Sequence, residues 1–476
     1  MPVDQERLHR VLNPNSIAVV GAKGPTYNWL TNQEEFTGDL YSVQVDENEI
    51  KGIEERGFKN FASLADVPGD IDLVICAVPR AVSPYIISAA VERGVAGVHM
   101  FTSGFAETGE PEGIALQDKI EEIALESGLP IVGPNCMGIY NRRLGVKFTG
   151  DAVQGEGGSV SVIAQSGTHT IGLTLGLQSV GIEVTRSISI GNALVINETD
   201  YLEYLLNDDD TKVIVMYLEG TKDGRKLFEL LKQARGKKPV IVWRGGRGQA
   251  GARAIQSHTA SLASSGEVWE GLLRQVGAIA VRSADEVIDT VAALVHASTA
   301  RKRNLALIAM TGGQSVAITD QFERQGFFPP ELSEKSYDRL AEFFTVIGGS
   351  YRNPFDAAST VGRELDNLEK LLDILADDDV IDGGIAIEMR TQGYDDDPKW
   401  LDRTLDLLDQ YRERTGLPVI ALSPTGGVMA ARGPSAGAAD AMAAITGRGF
   451  PLYLSFQRGA EALNRAVSFH EAKETS

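Results

Sequence analysis

Apolar residues are concentrated in short β-branched runs, and three of these runs share one pattern. Residues 16–20, 159–163 and 305–309 each lead into a turn of small residues and then into a helical pattern. Continuous apolar strands that alternate with helices are typical of parallel sheets covered on both faces. The three starts predict an α/β protein with three doubly wound parallel-sheet domains, Rossmann-like and flavodoxin-like.

Further runs supply the other predicted elements of each domain. Strands are expected at residues 73–78, 97–101, 213–218, 239–243, 384–388 and 418–422. Helices are expected at residues 83–92, 114–127, 284–297, 365–375 and 401–414. The chain is predicted to divide into domains at residues 1–130, 131–300 and 301–476.

Charge and composition narrow the possible partners. The 476 residues carry 45 Lys and Arg against 65 Asp and Glu, which gives a net charge of −20. Such acidity argues against nucleic acid and anionic membranes as main partners, because both require a basic face. It still allows an anionic ligand held by backbone NH groups.

The chain is predicted to be a cytoplasmic protein. Its polar start lacks the apolar region of a secretory signal, and no apolar run reaches the ~18 residues of a membrane span. Two cysteines, Cys76 and Cys136, are too few for a disulfide framework. Cys136 follows Gly133-Pro134-Asn135 and is interpreted as a packing or ligand-facing residue.

Two strand–helix turns are candidate anion sites, because ligands of doubly wound sheets bind at the carboxyl ends of strands. Gly21, Ala22 and Lys23 follow the first strand, although a tight turn without a ligand explains them equally well. Ser166, Gly167 and Thr168 follow a buried strand and open an apolar helix. Serine also caps helices without any ligand, so the spacing alone leaves both explanations open.

Three further side chains are candidates for chemistry. His258 lies among small polar residues and could be a mobile nucleophile, although a solvated loop histidine is the simpler explanation. Glu219 ends an apolar strand and could orient an imidazole, or it could simply favour a helix start. His169 follows the Ser166 turn and could face its ligand. The Asp triplets at 208–210, 377–379 and 395–397 are interpreted as solvated turns, so no metal site is expected.

Taken in order, the motifs resemble those of the NDP-forming acyl-CoA synthetases, the superfamily of ADP-forming acetate–CoA ligase and the succinyl-CoA synthetase α subunit. The resemblance is carried by PNSIAVVG at 14–21, DLVICAVP at 72–79, TSGFAETG at 102–109, GPNCMGIY at 133–140, QSG at 165–167, YLEG at 217–220 and SHT at 257–259. The third domain, with NPFD at 353–356, resembles that of the ADP-forming branch. The resemblance covers nearly the whole chain.

The resemblance implies a CoA-binding first domain, a second domain with a phosphohistidine loop, and a third flavodoxin-like domain. It implies acyl-CoA chemistry through an acyl phosphate, with His258 as phosphoryl acceptor, Glu219 as its orienting carboxylate, and Ser166, Gly167 and Thr168 as the phosphate site. CoA is expected to contact Gly21, Ala22, Lys23, Gln44, Val45, Pro79, Ser103, Gly104, Asn135 and Cys136. ATP or ADP and magnesium are expected in a separate ATP-grasp β subunit, which makes the chain one part of a hetero-oligomer acting on a small carboxylic acid or its acyl-CoA.

Two alternatives remain at this point. One is a non-catalytic CoA- or acyl-CoA-binding protein that kept the scaffold, and the other is a dinucleotide-dependent oxidoreductase using the first domain. The first loop is shorter than is usual in the family, and Asp46 stands where lysine is common. The acid expected about 20 residues after the glycine turn of an oxidoreductase is matched only loosely by Asp46.

Overall fold

The computed structural model describes residues 3–248, 250–251, 266–362, 364–389, 391, 398–424 and 437–474. Within these residues lie three sheets whose strands run mostly parallel, which confirms the predicted fold class. The first sheet has the order β3-β2-β1-β4-β5-β6. Its strands are β1 (Ser16–Val20), β2 (Asp39–Val43), β3 (Lys59–Phe61), β4 (Leu73–Cys76), β5 (Gly97–Met100) and β6 (Ile131–Val132). The helices of this region are α1 (Gln5–Leu12), α2 (Asn28–Thr31), α3 (Glu47–Glu55), α4 (Ser83–Arg93) and α5 (Pro111–Ser127).

The second sheet has the order β12-β11-β10-β8-β9-β7. Its strands are β7 (Gly138–Asn141), β8 (Val160–Ala164), β9 (Val184–Ser189), β10 (Val213–Leu218), β11 (Val240–Arg244) and β12 (Ile279–Val281). The described helices that accompany it are α6 (Gly167–Ser179), α7 (Glu198–Asn207), α8 (Gly224–Ala234) and α9 (Gly266–Val276).

The third sheet has the order β14-β13-β15-β16-β17. Its strands are β13 (Leu305–Ala309), β14 (Phe355–Asp356), β15 (Gly384–Glu388), β16 (Val419–Leu422) and β17 (Leu452–Tyr453). The described helices of this part are α10 (Ala284–His296), α11 (Gly312–Arg324), α12 (Glu334–Ala341), α13 (Leu365–Ala376), α14 (Pro398–Thr415), α15 (Ala438–Gly447) and α16 (Phe456–Glu474). Among the described helices, none is long and apolar enough to cross a bilayer.

The chain divides into two compact units. The first contains residues up to 178 and 183–283, and the second contains residues 179–182 and 284 onward. In the first unit a single buried cluster runs from Leu8 and Ile17 through Val132 and Ile163 to Trp269, so the first two sheets share a continuous core. The third sheet has a core of its own in the second unit.

The strand orders explain where sites can form. The first order is that of dinucleotide-binding sheets, in which the chain changes direction between β1 and β4. The second sheet follows the flavodoxin-like order from β8 onward, and the corresponding switch point lies between β8 and β10. Loops that leave neighbouring strands at a switch point diverge and open a crevice. The turn of Ser166 and the segment of Glu219 leave these two strands.

One strand departs from the all-parallel expectation. β7 pairs antiparallel with β9, so that Gly138 lies opposite Ser189. Gly138 has a φ of +78°, and a Cβ there would lie 2.4 Å from the His99 ring. Glycine therefore permits a backbone turn against the first sheet that strand patterning does not predict.

Candidate active site

A cavity of about 330 Å³ opens within the first unit, beside the second sheet's switch point. Its described lining contains no charged side chain, so an anion there depends on NH and OH dipoles. The lining residues are Phe101, Ser103, Asn135, Cys136, Met137, Gln165, Ser166, Gly167, Thr168, Ile171, Gly191 and Asn192. Six of the predicted site residues are thus brought together: Ser103, Asn135, Cys136, Ser166, Gly167 and Thr168.

The Ser166 turn forms the N-terminus of a long helix. β8 ends at Ala164, and α6 begins at Gly167 and runs for 13 residues. The Ser166 hydroxyl accepts the NH of His169 at 3.3 Å, and its carbonyl accepts the NH of Thr170 at 2.9 Å. No described residue accepts a hydrogen bond from the NH of Gly167 or Thr168. These free donors and the positive end of the helix dipole face the same cavity and suit an anion.

Glu219 lies at the end of β10, as its sequence position predicts. The side chain is 7% exposed, and the Tyr217 hydroxyl donates to its Oε1 at 3.2 Å. The Gln165 side-chain oxygen accepts the NH of Glu219 and, at 3.0 Å, the NH of Gly220. Gln165 immediately precedes the Ser166 turn, so one side chain ties the candidate phosphate loop to the candidate catalytic carboxylate.

A second buried carboxylate, Glu198, holds the same segment from the other side. It is fully buried at the first position of α7, and its Oε1 accepts the Thr221 hydroxyl at 2.6 Å and the NH of Lys222 at 2.9 Å. Sequence reasoning missed Gln165 as an anchor and missed Glu198 entirely. The only sequence signal for Glu198 is an acid at the start of an apolar helix. Acids are common there because they interact favourably with the helix dipole, so the signal does not indicate a site.

His169 is engaged by aromatic rings. Its ring centroid lies 4.3 Å from that of Tyr217 and 4.6 Å from that of Trp243. Burial lowers the pKa of His169, while the negative charge of Glu219 opposes that shift. The imidazole is therefore neutral at pH 7 and forms part of the packing beside Glu219.

Another part of the cavity lining is a turn after β6. Asn135 has a φ of +58°, and its NH donates to the Thr102 carbonyl at 3.0 Å. Its side chain donates to Asn192 at 3.4 Å, and Asn192 donates to Glu107 at 2.7 Å. Glu107 thus fixes the orientation of the two amides through hydrogen bonds.

Cys136 is 3% exposed, and burial raises the pKa of its thiol to about 12. The side chain is therefore a neutral thiol at pH 7, which is poorly nucleophilic. His99 lies behind this turn, with Nε2 3.3 Å from the Cys136 carbonyl oxygen. Burial lowers the pKa of His99 to about 4, so its imidazole is neutral as well.

The other predicted CoA contacts lie outside the lining of this cavity. Gly21 adopts a φ of +85°, and a Cβ there would lie 2.6 Å from Val78 Cγ1, so the loop after β1 packs closely on the loop after β4. Gln44 is buried and donates to the Ala22 carbonyl at 3.0 Å. Gly104, with a φ of +99°, donates its NH to Glu107. Three further predicted contacts are exposed, namely Lys23, Val45 and Pro79.

His258 lies outside the described residues. The Asp triplet at 395–397 also lies outside the described residues. In the triplet at 208–210, Asp208 forms an ion pair with Arg186 at 2.7 Å. Asp377 pairs with Arg339 at 2.8 Å. Across the described part of the chain, no group of three or more His, Cys, Asp or Glu side chains is arranged to hold a metal ion.

Comparison with known proteins shows the family of the chain. The family model described as a CoA binding domain matches residues 15–142, and the one described as a succinyl-CoA ligase like flavodoxin domain matches residues 157–294. A crystal structure of a Pyrococcus horikoshii OT3 protein superimposes with a TM-score of 0.77 at 25% identity, covering 98% of this chain and 99% of that one.

Two curated relatives extend the match to sequence. The α subunit of ADP-forming acetate–CoA ligase II from Pyrococcus furiosus is 34% identical over 366 residues, which is 76% of this chain and 78% of the relative. ADP-forming acetate–CoA ligase I from Archaeoglobus fulgidus is 32% identical over 392 residues, 82% of this chain but only 56% of the relative. The predicted superfamily is confirmed, and the relatives favour an acid–thiol ligase over a non-catalytic binding protein. The chain belongs to the family of ADP-forming acetate–CoA ligase α subunits.

Proposed function

We propose that the chain, together with a nucleotide-binding partner, interconverts acyl-CoA, phosphate and NDP with a carboxylic acid, CoA and NTP. A phosphate oxygen attacks the thioester carbonyl carbon, the C–S bond breaks, and CoA leaves as the thiol. An imidazole nitrogen of His258 then attacks the phosphorus of the acyl phosphate, the P–O bond breaks, and the acid leaves as its carboxylate. The phosphoryl group passes from His258 to the nucleotide, and every step is reversible.

The observation that carries this proposal is the shared cavity. Asn135 and Cys136, expected near the thiol end of CoA, line the same 330 Å³ space as Ser166, Gly167 and Thr168, expected to hold phosphate. The thioester and the phosphate must meet for the first bond to form, so their sites must adjoin. A family model for a CoA-binding domain over residues 15–142 supports the same assignment.

Glu219 is proposed to orient and stabilise the imidazole of His258. It is a nearly buried carboxylate, and Gln165 and Glu198 both fix the segment that carries it. A carboxylate that accepts an imidazole N–H sets the tautomer and leaves the other nitrogen to act as the nucleophile. CoA phosphates are proposed to lie near Gly21, Ala22 and Lys23, where Lys23 is exposed.

The nucleotide is proposed to bind a separate β subunit of ATP-grasp type, with magnesium. The Pyrococcus furiosus relative is named as an α subunit, and 44% of the Archaeoglobus fulgidus relative is not spanned by this chain, since the match covers 56%. We also propose the three-domain division of labour, with residues 1–130 for CoA, 131–300 for phosphoryl transfer and 301–476 as a third flavodoxin-like domain. The substrate is proposed to be a small carboxylic acid.

Labelling with ³²P-phosphate tests the proposal on the purified chain, because every residue proposed to form the phosphoenzyme belongs to this chain. With acetyl-CoA and other short acyl-CoAs, the wild-type chain is expected to take up acid-labile, base-stable label. His258→Ala removes the attacking nitrogen and is expected to abolish it. His9→Ala, which changes an exposed histidine of α1, is the control and should label normally.

Binding of CoA is measured on the same samples by calorimetry. CoA binding without label from any acyl donor would contradict the proposed reaction and favour the non-catalytic alternative. Label that survives in His258→Ala would instead reject His258 as the acceptor.

A further inference from the structure

Gln165 is a buried amide beside a site that needs anion donors. Its side chain is 8% exposed, it lies between the end of β8 and Ser166, and it lines the candidate cavity. Burying a carboxamide stabilises the fold only when its polar atoms find partners. The hydrogen bonds that this amide makes, and the acceptor that its NH₂ group lacks, indicate what the side chain does.

The orientation of the Gln165 amide is set by two backbone donors. The NH of Glu219 and the NH of Gly220 both point at one side-chain atom, at 3.0 Å for Gly220. Only the carbonyl oxygen of a carboxamide accepts hydrogen bonds, so this atom is Oε1 and the NH₂ group must lie on the other branch. The two hydrogen bonds thus determine which branch of the Gln165 amide is the oxygen and which is the nitrogen.

The NH₂ group has no protein acceptor among the residues that the structure describes. The Nε2 atom is accessible, because Gln165 lines the cavity. The described lining contains no carboxylate and no cation. Two N–H donors therefore face a neutral cavity, next to the free NH groups of Gly167 and Thr168.

We propose that Gln165 is a catalytic residue whose NH₂ group donates to an oxygen of the phosphoryl group as it moves between phosphate, acyl phosphate and histidine. This inference rests on the proposed function and adds a side-chain donor to the backbone donors of α6. The same residue positions Glu219 through Oε1. One amide thus holds the carboxylate with its acceptor and the phosphoryl group with its donors.

The isosteric variant Gln165→Glu separates the two roles. A carboxylate still accepts the NH groups of Glu219 and Gly220, so positioning is kept, but the donor becomes a negatively charged acceptor facing the phosphoryl group. Gln165→Leu removes both roles and leaves the two NH groups without an acceptor. The matched control is Gln178→Glu, which makes the same change at a half-buried glutamine that donates to Tyr140 at 2.8 Å, away from the cavity.

The experiment measures ³²P labelling of the purified chain from acetyl-CoA and inorganic phosphate, as a function of phosphate concentration and pH. Gln165→Glu is expected to lower the labelling efficiency about 100-fold at pH 8, with CoA binding and thermal midpoint close to wild type. Relative to wild type, the variant should recover as the pH falls, because the protonated carboxyl regains an O–H donor. Gln178→Glu should label like wild type.

Wild-type labelling by Gln165→Glu at all phosphate concentrations would overturn the inference. A loss of labelling confined to Gln165→Leu would leave a purely positioning role, and a loss in Gln165→Glu that does not recover at low pH would also overturn the inference. Absence of label in the wild-type chain, with CoA binding intact, would count against the proposed function itself. Failure of the inference is thus distinguishable from failure of the reaction.

Discussion

The loop after β1, called the first loop, and the loop after β8, called the second loop, look alike in sequence. Their hydrogen bonds in the structure differ. In the first loop, Gly21 donates its NH to Val43 at 3.1 Å, and Gly24 donates to the Glu49 carboxylate at 2.9 Å. The α2 helix that follows has only four residues and starts after Tyr27, whose φ is +54°. In the second loop, the NH groups of Gly167 and Thr168 have no described acceptor and open a 13-residue helix.

This difference shows that anion binding at such a loop depends on whether another acceptor already takes its backbone NH donors. In the first loop, a carboxylate of the chain itself already accepts a hydrogen bond from the glycine backbone, as a phosphate would. The second loop offers its donors to a cavity with no described acidic side chain. The second loop opens a helix of 13 residues and the first a helix of only four, so the stronger helix dipole that favours a dianion lies at the second loop.

Placing an acid in the second loop is expected to have the largest effect. Thr168→Glu adds a carboxylate in the first turn of α6, where Thr168 is exposed, so the fold should tolerate it. The acid interacts favourably with the helix dipole but repels phosphate, so labelling of the chain should fall about 100-fold without loss of thermal stability. Thr168→Gln is the matched neutral control and should stay within about fivefold of wild type. Equal labelling by both variants would show that the phosphoryl group lies elsewhere.

The reciprocal change, removing the acid from the first loop, is expected to have a moderate effect. Glu49→Gln removes a negative charge from the backbone donors next to Lys23, so CoA should bind about threefold to tenfold more tightly at low salt. Titration calorimetry measures this, with Glu54→Gln as a control that makes the same charge change at an exposed position of the same helix. If the two variants bind CoA equally well, the phosphates of CoA do not approach the first loop.

Much of the architecture follows from local pattern. β1, β10, β13 and β15 begin and end where the apolar runs do, because a strand covered on both faces needs unbroken apolar residues. The position of Glu219 follows from the same logic, since a polar residue after such a strand must lie at the sheet's edge. The resemblance of motifs in order then carries the assignment to the family.

What local pattern does not show is which distant groups meet. Gln165 contacts residues 54 and 55 positions away, and Glu49 contacts Gly24 from 25 positions away. These contacts depend on the strand order that places β10 beside β8 and on the packing of α3 against the first loop. For the same reason, the antiparallel β7 and the buried Glu198 have no distinctive local signal.

The smallest effect is expected at His169, which is the histidine nearest the second loop in sequence. Its ring packs on Tyr217 and Trp243, and burial lowers the pKa of His169 below its ordinary value, so the neutral imidazole predominates at pH 7 and above. Protonation would become favourable only at lower pH, so His169 should contribute no ionisation to the pH profile of labelling at pH 7 to 9. His169→Phe keeps an aromatic ring in place and should label within about threefold of wild type, with an unchanged profile over that range. Loss of the label in this variant, with retention in His258→Ala, would identify His169 as the phosphoryl acceptor. The chemistry would then lie on the helix of the second loop rather than on a separate segment.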